Sequence, residues 1–257
     1  MAERRVVMIL GGTSDARQLA ARLVAAQSGA AQPPGGVRVV SSLAGRTKAP
    51  VLPQGETRVG GFGGVPGLAA WLREHRVAAV VDATHPFAAR ISANAVAACA
   101  EAGVPLLRLQ RPGWTERDGD DWRRVGSAEE AAALLPGVGR RVFLTTGRME
   151  TAPYAGLDDL WFLLRSVEPP EDAVPRHLEL LLARGPFTVA DEVALMRRHA
   201  IDVVVTKDSG GGQTAAKLDA ARELRLPVVV ITRPAVAAEA CVASVAEAEQ
   251  WVARVVG

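Results

Sequence analysis

Val203-Val204-Val205-Thr206-Lys207-Asp208-Ser209-Gly210-Gly211-Gly212, with Lys217 five residues further on, is the stretch that decides the fold class. Its run of β-branched residues reads as a fully buried strand. The strand ends in a polar, glycine-rich turn, and residues 214–224 then read as a helix. Strand, loop and helix in that order put the loop at the carboxyl end of a parallel strand, where open α/β sheets bind their ligands. Three consecutive glycines let backbone N–H groups close on an anion, and Lys207 and Lys217 add positive charge. The plainer reading is a turn with solvated lysines.

Working outward, strand and helix patterns alternate almost throughout. In the first half, 6–10, 37–41, 77–82 and 104–109 read as strands, and 15–26, 68–74 and 88–102 as helices. In the second half, 142–146, 161–167, 203–206 and 228–232 read as strands. Helices are expected at 128–135, 175–183, 189–199, 214–224 and 245–255. This alternation predicts an α/β protein with doubly wound parallel sheets. Texture changes at Arg111-Pro112-Gly113-Trp114, followed by a densely charged stretch to Arg124. Two Rossmann-like domains, 1–112 and 113–257, explain the pattern better than one sheet of about ten strands.

Composition narrows the class. Of 257 residues 49% are hydrophobic but only 4% aromatic, so the core is built from Ala, Val and Leu. This suits Ala-rich helices over Val-rich parallel strands. Thirty basic and 28 acidic residues leave a net charge of +2, interleaved along the chain, which argues against a nucleic-acid partner. The opening MAERRVVMILGGTSDA has too short an apolar run for a secretory leader, and no segment reaches the roughly eighteen apolar residues of a membrane span. A cytoplasmic protein that does not bind membranes is expected, with a monomer favoured. Cys99 and Cys241 lie far apart on helix-like stretches without CxxC spacing, and with only four histidines no metal site is expected.

Four further strand tips carry polar residues. Gly11-Gly12-Thr13-Ser14-Asp15-Ala16 is a glycine turn opening a helix, which suits a phosphate or carboxylate, although Ser14 or Asp15 could simply be the N-cap. After the second strand, Arg46 and Lys48 stand where NAD-binding folds carry a ribose-binding acid. That favours NADP, or an acidic substrate. Asp82-Ala83-Thr84-His85-Pro86-Phe87-Ala88 puts a histidine at a strand tip, where it could donate a proton or bind an acid, with Arg90 a turn beyond. Thr145-Thr146-Gly147-Arg148 combines two hydroxyls, a glycine and an arginine as an anion clamp. Arg184-Gly185-Pro186-Phe187-Thr188 is a tight turn with Thr188 a candidate N-cap. No GxxxxGK[ST] loop, GxSxG elbow or HExxH motif is present. The sole tyrosine, Tyr154, is followed at position 158 by aspartate, so a Tyr-x-x-x-Lys reductase dyad is absent.

GGTSDA, DATHPFA, TTGR, RGPF and TKDSGGG with Lys217, collinear from residue 11 to about 232, together resemble the precorrin-6A reductases of cobalamin biosynthesis. The resemblance implies NADPH-dependent reduction of one double bond of the macrocycle of precorrin-6A, giving precorrin-6B. A cobalt-containing substrate serves the anaerobic branch. It also implies two Rossmann-like domains that exchange a strand, with cofactor and macrocycle in the cleft between them. Thr145, Thr146, Gly147, Arg148, Lys207, Ser209, Gly210, Gly211, Gly212 and Lys217 are then expected to hold the cofactor. Gly12, Thr13, Ser14, Arg46, Thr84, His85, Arg90 and Arg184 are expected to face the polycarboxylate substrate. Hydride transfer belongs to the nicotinamide, and the accompanying proton could come from His85, Lys207, Asp208 or water. Rival readings are a reductase of a smaller acid, a non-catalytic NADP-binding sensor, and a tetrapyrrole carrier.

Overall fold

A computed structural model describes residues 5–26, 36–45, 50–212, 214–236 and 240–257. The chain divides into two compact units: Met1–Arg111 with Ala235–Gly257, and Pro112–Pro234. The sheet of the first unit holds β1 (Arg5–Leu10), β2 (Val37–Leu43), β3 (Glu56–Val59), β4 (Val77–Asp82), β5 (Leu106–Leu109) and β12 (Cys241–Val242). Their order is β3-β2-β1-β4-β5-β12, and every pairing is parallel. Strand periodicity sorts β1 into two faces. Val7 and Ile9 pack with Leu19 and Leu23 of α1 (Ser14–Ala25) and Val252 of α7 (Val245–Val256). Val6, Met8 and Leu10 pack with Leu68 and Leu72 of α2 (Gly64–Glu74) and Ala95 of α3 (Ala89–Ala102).

The second unit repeats the plan with β6 (Trp122–Val125), β7 (Arg141–Leu144), β8 (Trp161–Ser166), β9 (Leu178–Leu182), β10 (Val203–Lys207) and β11 (Val228–Ile231), again all parallel, in the order β9-β8-β7-β10-β11-β6. Its helices are α4 (Ala128–Leu134), α5 (Val189–Arg198) and α6 (Ala216–Leu224). Each sheet has the 3-2-1-4-5-6 order of a doubly wound nucleotide fold. The sixth strands, however, are exchanged. β6, which follows β5 along the chain, completes the second sheet, and β12, which follows β11, completes the first.

The exchange, which the resemblance implied, makes the first unit discontinuous about the approximate division at 112/113. Residues 235–257 belong with the first unit, because β12 pairs with β5 and the apolar face of α7 (Val245, Ala248, Val252, Val256) joins the α1 cluster. Cys241, read as helical, lies in β12. The expected helix at 175–183 is the edge strand β9: Leu178-Glu179-Leu180-Leu181-Leu182 favours a helix by propensity, but pairing with β8 overrides it. β3 and β6 were not expected as strands. They are short, charge-rich edge strands (ETRV and WRRV) with weak alternation. Among the described residues, no helix is long and apolar enough to cross a membrane and no acidic, histidine or cysteine cluster could hold a metal.

Both sheets reverse their winding between the first and fourth strands in order. The connections leaving β1 and β4, and those leaving β7 and β10, therefore run to opposite sides, and a crevice opens at the carboxyl ends between them. GGTS and DATHP occupy one such point, TTGR and KDSGGG the other.

Candidate functional site

At the switch point of the first unit, the Gly11 N–H donates to the Ser42 carbonyl (2.9 Å). Gly12 follows at φ 113, where an added Cβ would meet open space. Thr13, not Ser14 or Asp15, is the N-cap of α1. Its Oγ1 accepts from the Ala16 N–H (3.1 Å) and donates to the Ala83 carbonyl (2.7 Å), tying the end of β1 to that of β4. Ser14 lies 3.4 Å from Asp15, which pairs with Arg111 at 3.0 Å.

Buried Asp82 ends β4 and accepts from both the N–H (3.1 Å) and the hydroxyl (2.7 Å) of Thr84. That turn sets the half-buried His85 at the rim. The Phe87 N–H donates to His85 Nδ1 (3.3 Å), so the neutral ring carries its proton on Nε2. Arg90 is exposed on the first turn of α3, and Arg46 lies outside the described residues.

The second switch point is built in parallel. Thr145 directs both its N–H and its hydroxyl to the Val205 carbonyl (2.9 Å each), joining β7 to β10 as Thr13 joins β1 to β4. Thr146 is buried, and among the described residues its hydroxyl has no hydrogen-bond partner. Gly147 turns at φ 85 beside open space. Two of the three cations expected to hold the cofactor are paired with acids: Arg148 with Glu168 (3.6 Å) and Glu171, and Lys207 with Glu150 (2.7 Å).

Asp208 is a structural pin. Its carboxylate accepts from the Trp114 N–H (2.9 Å) and lies 3.8 Å from Arg233 Nε, which also donates to the Asp208 carbonyl (2.7 Å). These contacts clasp the 112–114 turn against the loop, and Trp114 Nε1 reaches the Gly211 carbonyl (2.9 Å). Gly210 and Gly211 are left-handed (φ 65 and 73), and the Ser209 N–H folds back on the Lys207 carbonyl (2.7 Å). A side chain on Gly210 would overlap the Pro112 carbonyl, whereas Gly212 faces open space. Lys217 is buried beneath the loop rather than presented on it.

Arg184 is exposed, and the Phe187 ring of the same turn has its centroid 3.7 Å from the Arg165 guanidinium. Thr188 caps α5 as expected, accepting from the Asp191 N–H (3.2 Å). Arg165 and Glu192 form a buried ion pair. Neither was singled out by sequence reasoning. The available signal was an arginine directly after the apolar run Trp161–Leu164 of the strand WFLLRS, where a buried charge demands a partner.

Two doubly wound sheets, each with a hydroxyl-and-glycine turn at its switch point, define a tandem Rossmann-like α/β protein. The chain belongs to the precorrin-6x reductase CbiJ/CobK family, whose model matches residues 6–253. It is 55% identical over 247 residues to a precorrin-6A reductase of Rhodococcus erythropolis, covering 96% of each chain. To that of Mycobacterium tuberculosis (strain H37Rv) it is 49% identical over 249 residues, covering 96% of this chain and 97% of the relative. A cobalt-precorrin-6A reductase of Salmonella typhimurium is 32% identical over 241 residues, covering 89% and 87%. The solved structure of a CobK precorrin-6A reductase superposes with a TM-score of 0.88 at 44% identity, covering 98% of this chain and 97% of that one.

Proposed function

We propose that this chain reduces one double bond of precorrin-6A, with NADPH as the electron donor. The observation that carries the reading is the near-complete match, at 44–55% identity, to proteins named for that substrate, against 31–32% for relatives named for the cobalt form. That difference favours the metal-free macrocycle. Free Cys99 and Cys241 suit a reducing cytoplasm, and one chain carries both switch points, which favours a monomer.

The residues of the second switch point fit a dinucleotide phosphate. The orphaned Thr146 hydroxyl is a buried donor in want of an acceptor, and Gly147 and Gly212 leave room for close backbone approach. Lys207 and Arg148 would exchange a carboxylate partner for the phosphate, so their contribution is smaller than that of an unengaged cation. When bound, NADPH supplies a hydride. The protein orients the acceptor and delivers one proton to the neighbouring carbon. Among the candidate donors, His85 is best disposed, with its Nδ1 engaged by the Phe87 N–H and its proton on Nε2.

Absorbance at 340 nm tests the reading directly. NADPH oxidation that requires precorrin-6A and outpaces NADH is expected. Oxidation seen only with cobalt-precorrin-6A would reassign the substrate, and failure with either macrocycle would reject it. His85→Ala is expected to lower kcat about 10²-fold or more while leaving NADPH affinity unchanged. An unaltered kcat across pH would return the proton step to water.

A further inference from the structure

Lys217 sits in the first turn of α6 with 3% of its surface exposed. Its Nζ donates to the Thr214 carbonyl (2.6 Å) and stands 4.7 Å from the centroid of Trp114, the residue that also holds Asp208 and Gly211. The ammonium thus braces the loop through Thr214 and Trp114. Two charges act on it from neighbouring elements, Arg165 of β8 and Glu192 of α5. Glu192 is already committed to Arg165, with its second carboxylate oxygen buried and without a hydrogen bond among the described residues. Arg165, Glu192 and a charged Lys217 would place two positive charges and one negative charge together in the interior, a costly arrangement.

We propose that Lys217 is a positioning residue for the glycine loop, and that a dinucleotide phosphate occupying that loop supplies negative charge that balances its ammonium. The inference rests on the cofactor reading above. It departs from the expectation that Lys217 contacts the ligand, since the ammonium is spent on Thr214 and Trp114. Burial, and after it the charge of Arg165, brings the Lys217 ammonium down to about 7, against an opposing pull from Glu192. Near neutral pH the unliganded protein therefore holds this lysine partly deprotonated. An anion above the loop restores the proton, so binding takes one up and weakens as pH rises past 7.

The 2′-phosphate itself ionises near pH 6 and strengthens binding as pH rises, which is the opposite sign and is complete by about pH 7.5.

The test is calorimetric binding of NADP⁺ from pH 6.5 to 9.5 to the full-length protein and its Lys217→Met and Lys217→Arg variants. For wild type, Kd should rise by up to about tenfold per pH unit above 7, with uptake of close to one proton seen by comparing buffers of different ionisation heat. Lys217→Met should bind more weakly with a flat profile between pH 7.5 and 9.5. Lys217→Arg should recover affinity and stay flat. Methionine matches the lysine stem and needs no counter-charge, so that variant folds whether or not arginine fits.

The unliganded protein gives a second readout. The sign follows from a folded-state value below the unfolded one: the unfolded chain binds more protons between pH 7 and about 10.4, so wild-type stability should climb with pH across that window. Lys217→Met should lose that climb. A Lys217→Met protein with wild-type affinity and pH slope would overturn the proposal and leave the cofactor reading standing. No NADP⁺ binding by wild type at any pH would overturn both.

Discussion

Glu192→Ala should lower the stability of the second unit by about 3–5 kcal/mol, a fall in Tm on the order of 10 °C. The side chains of Arg165 and Glu192 are 7% and 1% exposed, and the guanidinium is enclosed by Phe143 (4.8 Å to the ring centroid) and Phe187 (3.7 Å). Removing the carboxylate strands a cation that can neither reach water nor give up its proton. The pair as a whole is far less valuable than its breakage suggests, because both charges were desolvated to form it. The double variant Arg165→Met/Glu192→Leu should accordingly regain most of the lost stability. Thermal and urea melts of the three proteins decide the matter. A single-variant loss below about 1 kcal/mol would mean that Glu192 is not what holds Arg165 in place.

The second large effect separates two neighbouring glycines. Gly210→Ala puts a Cβ into the Pro112 carbonyl at φ 65, and backbone cannot yield as a flexible side chain would. A left-handed alanine alone costs about 1–2 kcal/mol, and displacing the 112–114 turn also disturbs the Asp208–Trp114 clasp. A total of about 2–4 kcal/mol and at least a hundredfold loss of NADP⁺ affinity are expected. Gly212→Ala meets nothing in the protein, so its melting should stay within about 0.5 kcal/mol of wild type. Its NADP⁺ affinity should nonetheless fall at least tenfold, because the methyl group fills the space a phosphate would enter. Unchanged affinity in Gly212→Ala would remove the loop from the cofactor site.

The long central strands were legible because parallel strands buried on both faces must be apolar along their whole length. Val203-Val204-Val205 and Val228-Val229-Val230 have no other stable home. The hydroxyl, glycine and histidine turns could be found because they terminate those strands. Edge elements were not legible: β12 is two residues long and β9 is rich in leucine, so their conformation is set by a neighbouring strand rather than by local pattern. The same reasoning explains the site residues. TTGR reads as one anion clamp, yet its four residues divide the work: Thr145 bonds within the sheet, Thr146 holds an unspent hydroxyl, Gly147 opens space, and Arg148 faces acids. Residue type announces the chemistry available, but only the fold shows what each group has already spent on its neighbours. Glu192 was obscured for the converse reason. An acid in the first turn of a helix is ordinary on the surface, and only burial beside Arg165 makes it exceptional.

The exchange of sixth strands sets an order of birth. Residues 112–234 contain every strand of the second sheet, so that unit can close as soon as it clears the ribosome. The first unit begins earlier and finishes later. Its β5 edge stays unpaired, and the α1 side of its sheet lacks α7, until residues 241–256 emerge, on the order of ten seconds after Arg111 at ordinary elongation rates. The amino-terminal half is therefore the last to be completed, and in that interval β5 presents an unpaired strand edge, a template for mispairing.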